Sequence, residues 1–456
     1  MTEVKHSTFG ELGLFATKAY ATGDEILTES PAVVLAPSTV EMDSQKKQAP
    51  AISIPAPIDE DLHGTFRSMV TVGRTWIESS EKQKKEILEL YFPTADSESI
   101  SEKRIQSVAK EAVQYLEKDS ANPADWETVE KVMLIWACNS FQGGRIYVKI
   151  SRANHSCDPN SIIQAKGEDQ KLLAATDIAV GDEITISYLG SMLYSETEVR
   201  KERLKNTKYF LCECERCTGE DIAARIPSPS THPRQAQQSL DEDAQYDDDQ
   251  AVEYICASSK STSLEKYEKL KKSMAAVTSR VLSFLEEQEL AKDKSSAGGD
   301  SNDEEILGEH LSLSRTVMGD KHWTTNLLLL LFLDRRLSQM SSTMLTTQQI
   351  PEIEDVAEVI DSLQRLYRFI DALNLKLHPG HILGDVTIGT ARTLVSLGDM
   401  KSQKYGAEWL EKITGYVDKF ESEGRQKVVS ALSVAWKKHD RDVLDEGKRK
   451  AKKSKS

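Results

Sequence analysis

Asn154-His155-Ser156-Cys157-Asp158-Pro159-Asn160 decides how this chain is read, because two further motifs stand downstream of it in a fixed order. First comes Gly181-Asp182-Glu183-Ile184-Thr185-Ile186-Ser187-Tyr188, then Cys212-Glu213-Cys214-Glu215-Arg216-Cys217. Three cysteines spaced C-x-C-x-x-C favour a metal over a disulfide, yet three thiolates cannot close a tetrahedral zinc site. A fourth soft ligand has to come from elsewhere, and Cys157 is the best-placed candidate. Taken singly, the other two pieces have ordinary readings: a capped turn around one histidine, and a turn entering a half-buried strand through alternating Ile184, Ile186 and Tyr188. Their order leaves little room for coincidence.

The chain has 456 residues, enough for two or three domains that each bury a core. Met1 to Thr8 is polar and no apolar run succeeds it, so no signal peptide is expected and the chain is expected to stay inside the cell. The longest apolar run, Leu327 to Leu333, ends at Asp334-Arg335-Arg336. It falls far short of the ~20 residues a membrane span requires, so a buried helix and no membrane partner are expected. Four of the six cysteines go to the metal site, which suits a reducing compartment and leaves Cys138 and Cys256 as buried thiols.

The net charge of −15 is uneven. Asp241-Glu242-Asp243, Asp247-Asp248-Asp249 and Asp303-Glu304-Glu305 read as solvated acidic segments. Gly447 to Ser456 carries six Lys or Arg and no acid, the shape of a nuclear-localisation patch, although a nucleic-acid or acidic-partner contact would look the same. Nucleus and cytoplasm are the expected locations, and direct nucleic-acid binding is not expected. An acidic body attracts lysine-rich partners at long range.

Along the chain, Phe9 to Ala16 and Gly23 to Leu27 read as short strands joined by glycine turns, and Pro37 to Pro57 as a loop without cysteine. Helices are expected over Glu81 to Tyr91, Ser101 to Leu116 and Asp125 to Cys138, with Ser101 and Asp125 fit for capping. Strands are expected at Ile146 to Ile150, from Ile162, at Lys171 to Ala175 and at Glu183 to Tyr188. Gly219 to Gln250 is a linker by composition. Beyond it come helical patterns at Leu264 to Leu290, Ser312 to Leu337, Ile353 to Leu373, Leu383 to Leu397, Trp409 to Phe420 and Val428 to Trp436, arranged as paired helices without a clean repeat.

The ordered motifs NHSC-x-PN, GDEI-x-x-SY and C-x-C-x-x-C resemble the SET-domain protein lysine methyltransferases, and within them the SMYD-like enzymes, over roughly residues 1 to 219. Animal SMYD enzymes carry a cysteine-rich MYND finger where this chain has the cysteine-free Pro37 to Pro57. The resemblance implies an α+β fold with a SET domain over 1–205, a helical insert at about 58–138 and a zinc-binding post-SET segment at 206–219. An acidic linker over 220–260, an all-α, tetratricopeptide-like domain over 261–440 and a basic tail over 441–456 complete it. It implies S-adenosylmethionine as cofactor, one structural zinc on Cys157, Cys212, Cys214 and Cys217, and protein substrates bearing lysine, histone tails among them. Tyr188 matches the tyrosine that orients the reacting amine. Asn154 and His155 match the pair that hold the cofactor's amino-acid and adenine parts. Gly10-Glu11-Leu12-Gly13 looks like the glycine turn at its methionine part, one residue wider, and Phe210 like the ring stacked on adenine, with Tyr209 beside it. One position departs: where many SMYD-like enzymes place a channel tyrosine, this chain has Lys208. Either Tyr209 substitutes or the channel is altered, and the alternative function is a catalytically weak scaffold whose helical half binds protein partners.

Overall fold

The computed structural model describes residues 2–8, 12–34, 62–79, 81–92, 100–119, 124–141, 144–219, 275–284, 301–347, 353–397, 400–421 and 424–434, with isolated positions at 52, 54–55, 58–59 and 272. Glu11, most of the Pro37 to Pro57 loop, the acidic linker, Cys256 and the basic tail lie outside the described residues. The chain divides into two compact units: residues 1–193, 197–222 and 285–297, and residues 194–196, 223–284 and 298–456.

The first unit holds the strands β1 (Thr2–Lys5), β2 (Gly13–Ala16), β3 (Glu25–Glu29), β4 (Val33–Val34), β5 (Arg145–Ile146), β6 (Asn154–His155), β7 (Ser161–Lys166), β8 (Asp169–Ala174) and β9 (Glu183–Ile186). They form three small sheets, ordered β1-β2-β9-β6, β3-β8-β7 and β4-β5. Alternation along β9 sets the architecture: Ile184 and Ile186 point into a core with Leu14, Ala16, Tyr20, Leu172 and Ile178, while Thr185 turns the other way. Each such fully buried aliphatic side chain contributes about 1.5–3 kcal/mol. The pairing of β6 with β9 is parallel, Asn154 against Thr185 and His155 against Ile186, which lays the first motif alongside the second. The expected strand over Ile146 to Ile150 is corrected: β5 stops at Ile146, and Ile150–Arg152 is a 3-10 turn leading into β6.

Between β4 and β5 stands a helical insert, α1 (His63–Glu78), α2 (Glu81–Ile87), α3 (Ile100–Asp119) and α4 (Trp126–Asn139). Phe66, Met69, Val70 and Trp76 of α1 form one core with Val108, Ala112 and Leu116 of α3 and Val129, Val132 and Met133 of α4. Asp125 caps α4, its carboxylate accepting from the Thr128 N–H at 3.3 Å and the Thr128 hydroxyl at 2.7 Å. Ser101 does not cap: it lies inside α3, and its hydroxyl donates to Asn206 Oδ1 at 3.1 Å. After β9 come α5 (Thr197–Thr207) and α6 (Glu215–Thr218).

The second unit is helical in its described part: Ser301–Met318, Trp323–Thr347, Ile353–Ala372, Gly380–Ser396 and Met400–Phe420, with further helical stretches at 275–284 and 424–434. These five helices pack on their sequence neighbours, and Gly380–Ser396 also packs on Trp323–Thr347. The expected single helix over Ser312 to Leu337 is two. Gly319 takes a φ of 87°, its N–H bonding back to Arg315 O, and the corner is fixed by the buried Ser314 hydroxyl against those of Thr324 and Thr325 at 2.9 and 2.8 Å. Among the described residues no helix is long and apolar enough to cross a membrane.

Candidate active site

The chain crosses one small volume twice, once at Cys157 and again at Cys212 to Cys217. The four sulfurs lie within 4.8 Å of one another and all four residues are buried. Cys157 Sγ is 3.9 Å from Cys212 Sγ and 3.4 Å from Cys217 Sγ. Four sulfurs held about 2.3 Å from a tetrahedral zinc would stand about 3.8 Å apart, so the donor set fits that ion and leaves no open position. The remaining charge is met by protein. Four thiolates around Zn²⁺ carry two excess negative charges, and two buried arginines stand against them. Arg216 donates to the carbonyls of Cys157 at 2.9 Å and Leu193 at 2.7 Å, and Arg200 reaches Cys217 Sγ at 3.8 Å. Arg216 sits within the cysteine motif itself; nothing in the spacing around Arg200 announces its part.

His155 joins this centre to Tyr188. Its Nδ1 accepts the Tyr188 backbone N–H at 3.0 Å, which places the ring proton on Nε2, 3.2 Å from Cys157 Sγ. Burial, with Arg200 and Arg216 nearby, pulls its pKa down to about 4, so the ring is the neutral Nε2–H tautomer at ordinary pH. The imidazole is fully engaged, and what His155 can offer a cofactor is its backbone. Tyr188 comes directly after β9 and Ser187; its hydroxyl donates to the buried Ala153 carbonyl at 2.7 Å, and burial raises its pKa. The rings of His155, Tyr188 and Phe210 form a cluster, with Tyr188 edge-on to Phe210 at 6.3 Å.

Asn154, Gly13 and Leu12 meet on the other side of the first motif. Asn154 Nδ2 donates to Glu183 Oε1 at 2.7 Å and to Leu12 O at 3.2 Å, while Glu183 Oε2 accepts from the Ser7 hydroxyl at 2.7 Å. Gly13 leaves room for this arrangement: a Cβ there would displace the Glu183 carboxylate and stand 3.0 Å from Asn154 Nδ2. Sequence reasoning did not single out Glu183, and no periodic signal marks it, because its side chain is a half-buried first residue of a strand. Asn160, the last residue of the opening motif, clamps β9: its Nδ2 donates to Glu183 O at 2.8 Å and its Oδ1 accepts the Thr185 N–H at 2.9 Å.

The segment after α5 separates three side chains that are consecutive in sequence. Tyr209 adopts a left-handed φ of 64°, and its ring packs against the core of the helical insert. Phe210 turns toward Tyr188 and His155. Lys208 extends over the Tyr188 ring, its Nζ 5.8 Å from the ring centroid and donating to Cys138 O at 3.0 Å. Cys138 is half-buried where a buried thiol was expected; desolvation of its sulfur still pushes the thiol up to about 12, so it stands neutral beside that ammonium.

A family model described as "SET domain" matches residues 11–189. The chain is 41% identical over 93 residues to histone-lysine N-methyltransferase SMYD3 of Homo sapiens, covering 18% of this chain and 21% of that protein. It is 40% identical over 82 residues to N-lysine methyltransferase SMYD2 of Rattus norvegicus, covering 18% of each. It is 31% identical over 153 residues to a SET domain-containing protein of Acanthamoeba polyphaga mimivirus, covering 31% of this chain and 58% of that protein. The match to the two SMYD proteins thus spans about a fifth of their length. Residues 11–189 therefore match a SET domain, and the chain is similar to the SMYD proteins over about a fifth of their length.

Proposed function

We propose that this chain transfers methyl groups to the side-chain amines of protein lysines. The observation that carries the reading is Tyr188: a buried hydroxyl held on the Ala153 carbonyl, one residue before Asn154, with Phe210 across its ring edge. SET methyltransferases use S-adenosylmethionine, which supplies an electrophilic methyl on a sulfonium. The residues here suit it in kind. Phe210 would offer an aromatic face to the adenine, the Leu12–Gly13 backbone would flank the methionine part, and Asn154 with the His155 backbone hold the first motif against β9. The chain's own task is alignment and desolvation. Aligned reactants save roughly 7–11 kcal/mol of barrier. A lysine of pKa about 10.4 costs roughly 4.6 kcal/mol to deprotonate at pH 7, a cost that burial beside a positive sulfonium lowers, so no strong base is needed.

A second reading is favoured by one observation. The Lys208 ammonium over Tyr188 sits where an incoming lysine would be expected, which suits a catalytically weak scaffold binding partners through its helical half. Calorimetry with S-adenosylmethionine followed by a methylation screen on lysine-bearing peptides and histones separates the two. In the enzyme, Tyr188→Phe retains cofactor binding and loses turnover by on the order of 10²-fold or more. Cofactor binding without any methylated product, unchanged by Tyr188→Phe, would establish the scaffold. The basic tail supports nuclear access and hence histone substrates: deleting Gly447 to Ser456 shifts a fluorescent fusion to the cytoplasm with the melting temperature unchanged, and an unaltered distribution removes the claim.

A further inference from the structure

Lys208 is the one described lysine whose ammonium lies over the ring of Tyr188. Its placement is built rather than incidental. The Lys208 N–H closes the end of α5 on Leu204 O at 2.8 Å, Tyr209 reverses the chain at positive φ, and the side chain is thereby directed back across Tyr188 to Cys138 O. That carbonyl is a neutral acceptor, as is the thiol of the same residue, so the contact holds the amine without stabilising its charge as a carboxylate would. Burial accordingly lowers the Lys208 pKa. An acceptor for methyl transfer must be near the tyrosine, free to shed its proton and carried on a flexible stem. Lys208 meets all three conditions within its own chain, where effective concentration far exceeds that of a dissolved substrate.

We propose that Lys208 is a self-methylation site, modified in cis by the Tyr188 centre. This rests on the methyl-transfer reading. The lone pair of neutral Nζ forms a bond to the sulfonium methyl carbon, the carbon–sulfur bond breaks with its electron pair passing to sulfur, and the surplus proton on nitrogen leaves to water. The products are a methylated lysine and the neutral thioether.

The purified full chain incubated with S-adenosylmethionine bearing a trideuterated methyl group tests this by peptide mass analysis. The expected result is a heavy methyl on Lys208, at a fractional rate independent of protein concentration, lost in Lys208→Arg and reduced at least ~100-fold in Tyr188→Phe. A second readout needs no donor: reductive ¹³C-methylation of the protein should give a Lys208 resonance displaced by the Tyr188 ring and returned to the common lysine position in Tyr188→Leu. Heavy methyl on external lysine peptides with none on Lys208 overturns the inference and leaves the methyltransferase standing. Labelling of Lys208 at a rate proportional to protein concentration overturns the cis assignment. Absence of label from peptides, histones and Lys208 alike overturns the methyl-transfer reading and this one with it.

Discussion

Gly13→Ala is the sharpest probe of the Ser7–Glu183–Asn154 linkage. The added Cβ occupies the space of Glu183 Oε1, so the carboxylate has to swing away from two partners it holds at 2.7 Å, the Ser7 hydroxyl and the Asn154 amide. Hydrogen bonds to a charged group are each worth about 1.5–3 kcal/mol, and Glu183 regains part of this from water because it is only half-buried. The net loss is about 2–4 kcal/mol, or roughly 5–15 °C in melting temperature for a unit of this size. The structure also specifies the partner. In Glu183→Ala the carboxylate is already gone, so adding Gly13→Ala to it should cost little more, and a double-mutant cycle by thermal or urea melts should show a coupling on the order of 2 kcal/mol. Strict additivity, or a Gly13→Ala protein as stable as the parent, would refute the reasoning.

Two further outcomes are expected. Cys157→Ser and Cys214→Ser each release the same single zinc by elemental analysis, because the remaining three thiolates no longer close the site; full metal content in Cys157→Ser alone would show that the first motif is not a ligand. In the helical unit, His381 is packed against Tyr416 and Phe420 with Nε2 buried and without a hydrogen-bond partner, and burial, reinforced by His378, pulls its pKa down to about 3. The unfolded chain therefore takes up the proton first on acidification: the stability present above about pH 6.5 is lost at up to about 1.4 kcal/mol per unit as pH falls toward about 3. His381→Phe should flatten that slope in pH-dependent melts, and an unchanged slope would assign it to other groups.

The motif trio was legible because each piece is short, chemically unusual and in fixed order, and the structure brings all four cysteines to one point. The Asp125 cap was legible for the same local reason. What was missed lacked a local signal. β1 reads as a polar terminus because it is an edge strand whose residues 3–5 are exposed. α5 buries only Arg200 and Leu204, so its sequence has no apolar stripe to detect. α1 does carry its signal, in Phe66, Met69, Val70, Gly73 and Trp76 at helical spacing, but it begins without a side-chain cap and so lacks the usual start mark. The engagement of the His155 ring by Cys157 and Tyr188 depends on the parallel β6–β9 register, which no single segment encodes.

That register also dictates the order in which the chain can be assembled. β2 ends at Ala16 and its partner β9 begins at Glu183, while Cys157 waits for thiols that begin at Cys212. At about 5–20 residues per second on the ribosome, the N-terminal hairpin is exposed for roughly ten seconds or more before its neighbouring strand exists. Contacts this distant in sequence form slowly even in the finished chain. The helical insert, whose contacts are local, is the part that can mature first, and the metal centre the part that closes the domain last. A newly made chain in which no metal joined the four cysteines would therefore halt with its sheet assembled and the Asn154 to Asn160 loop unpinned.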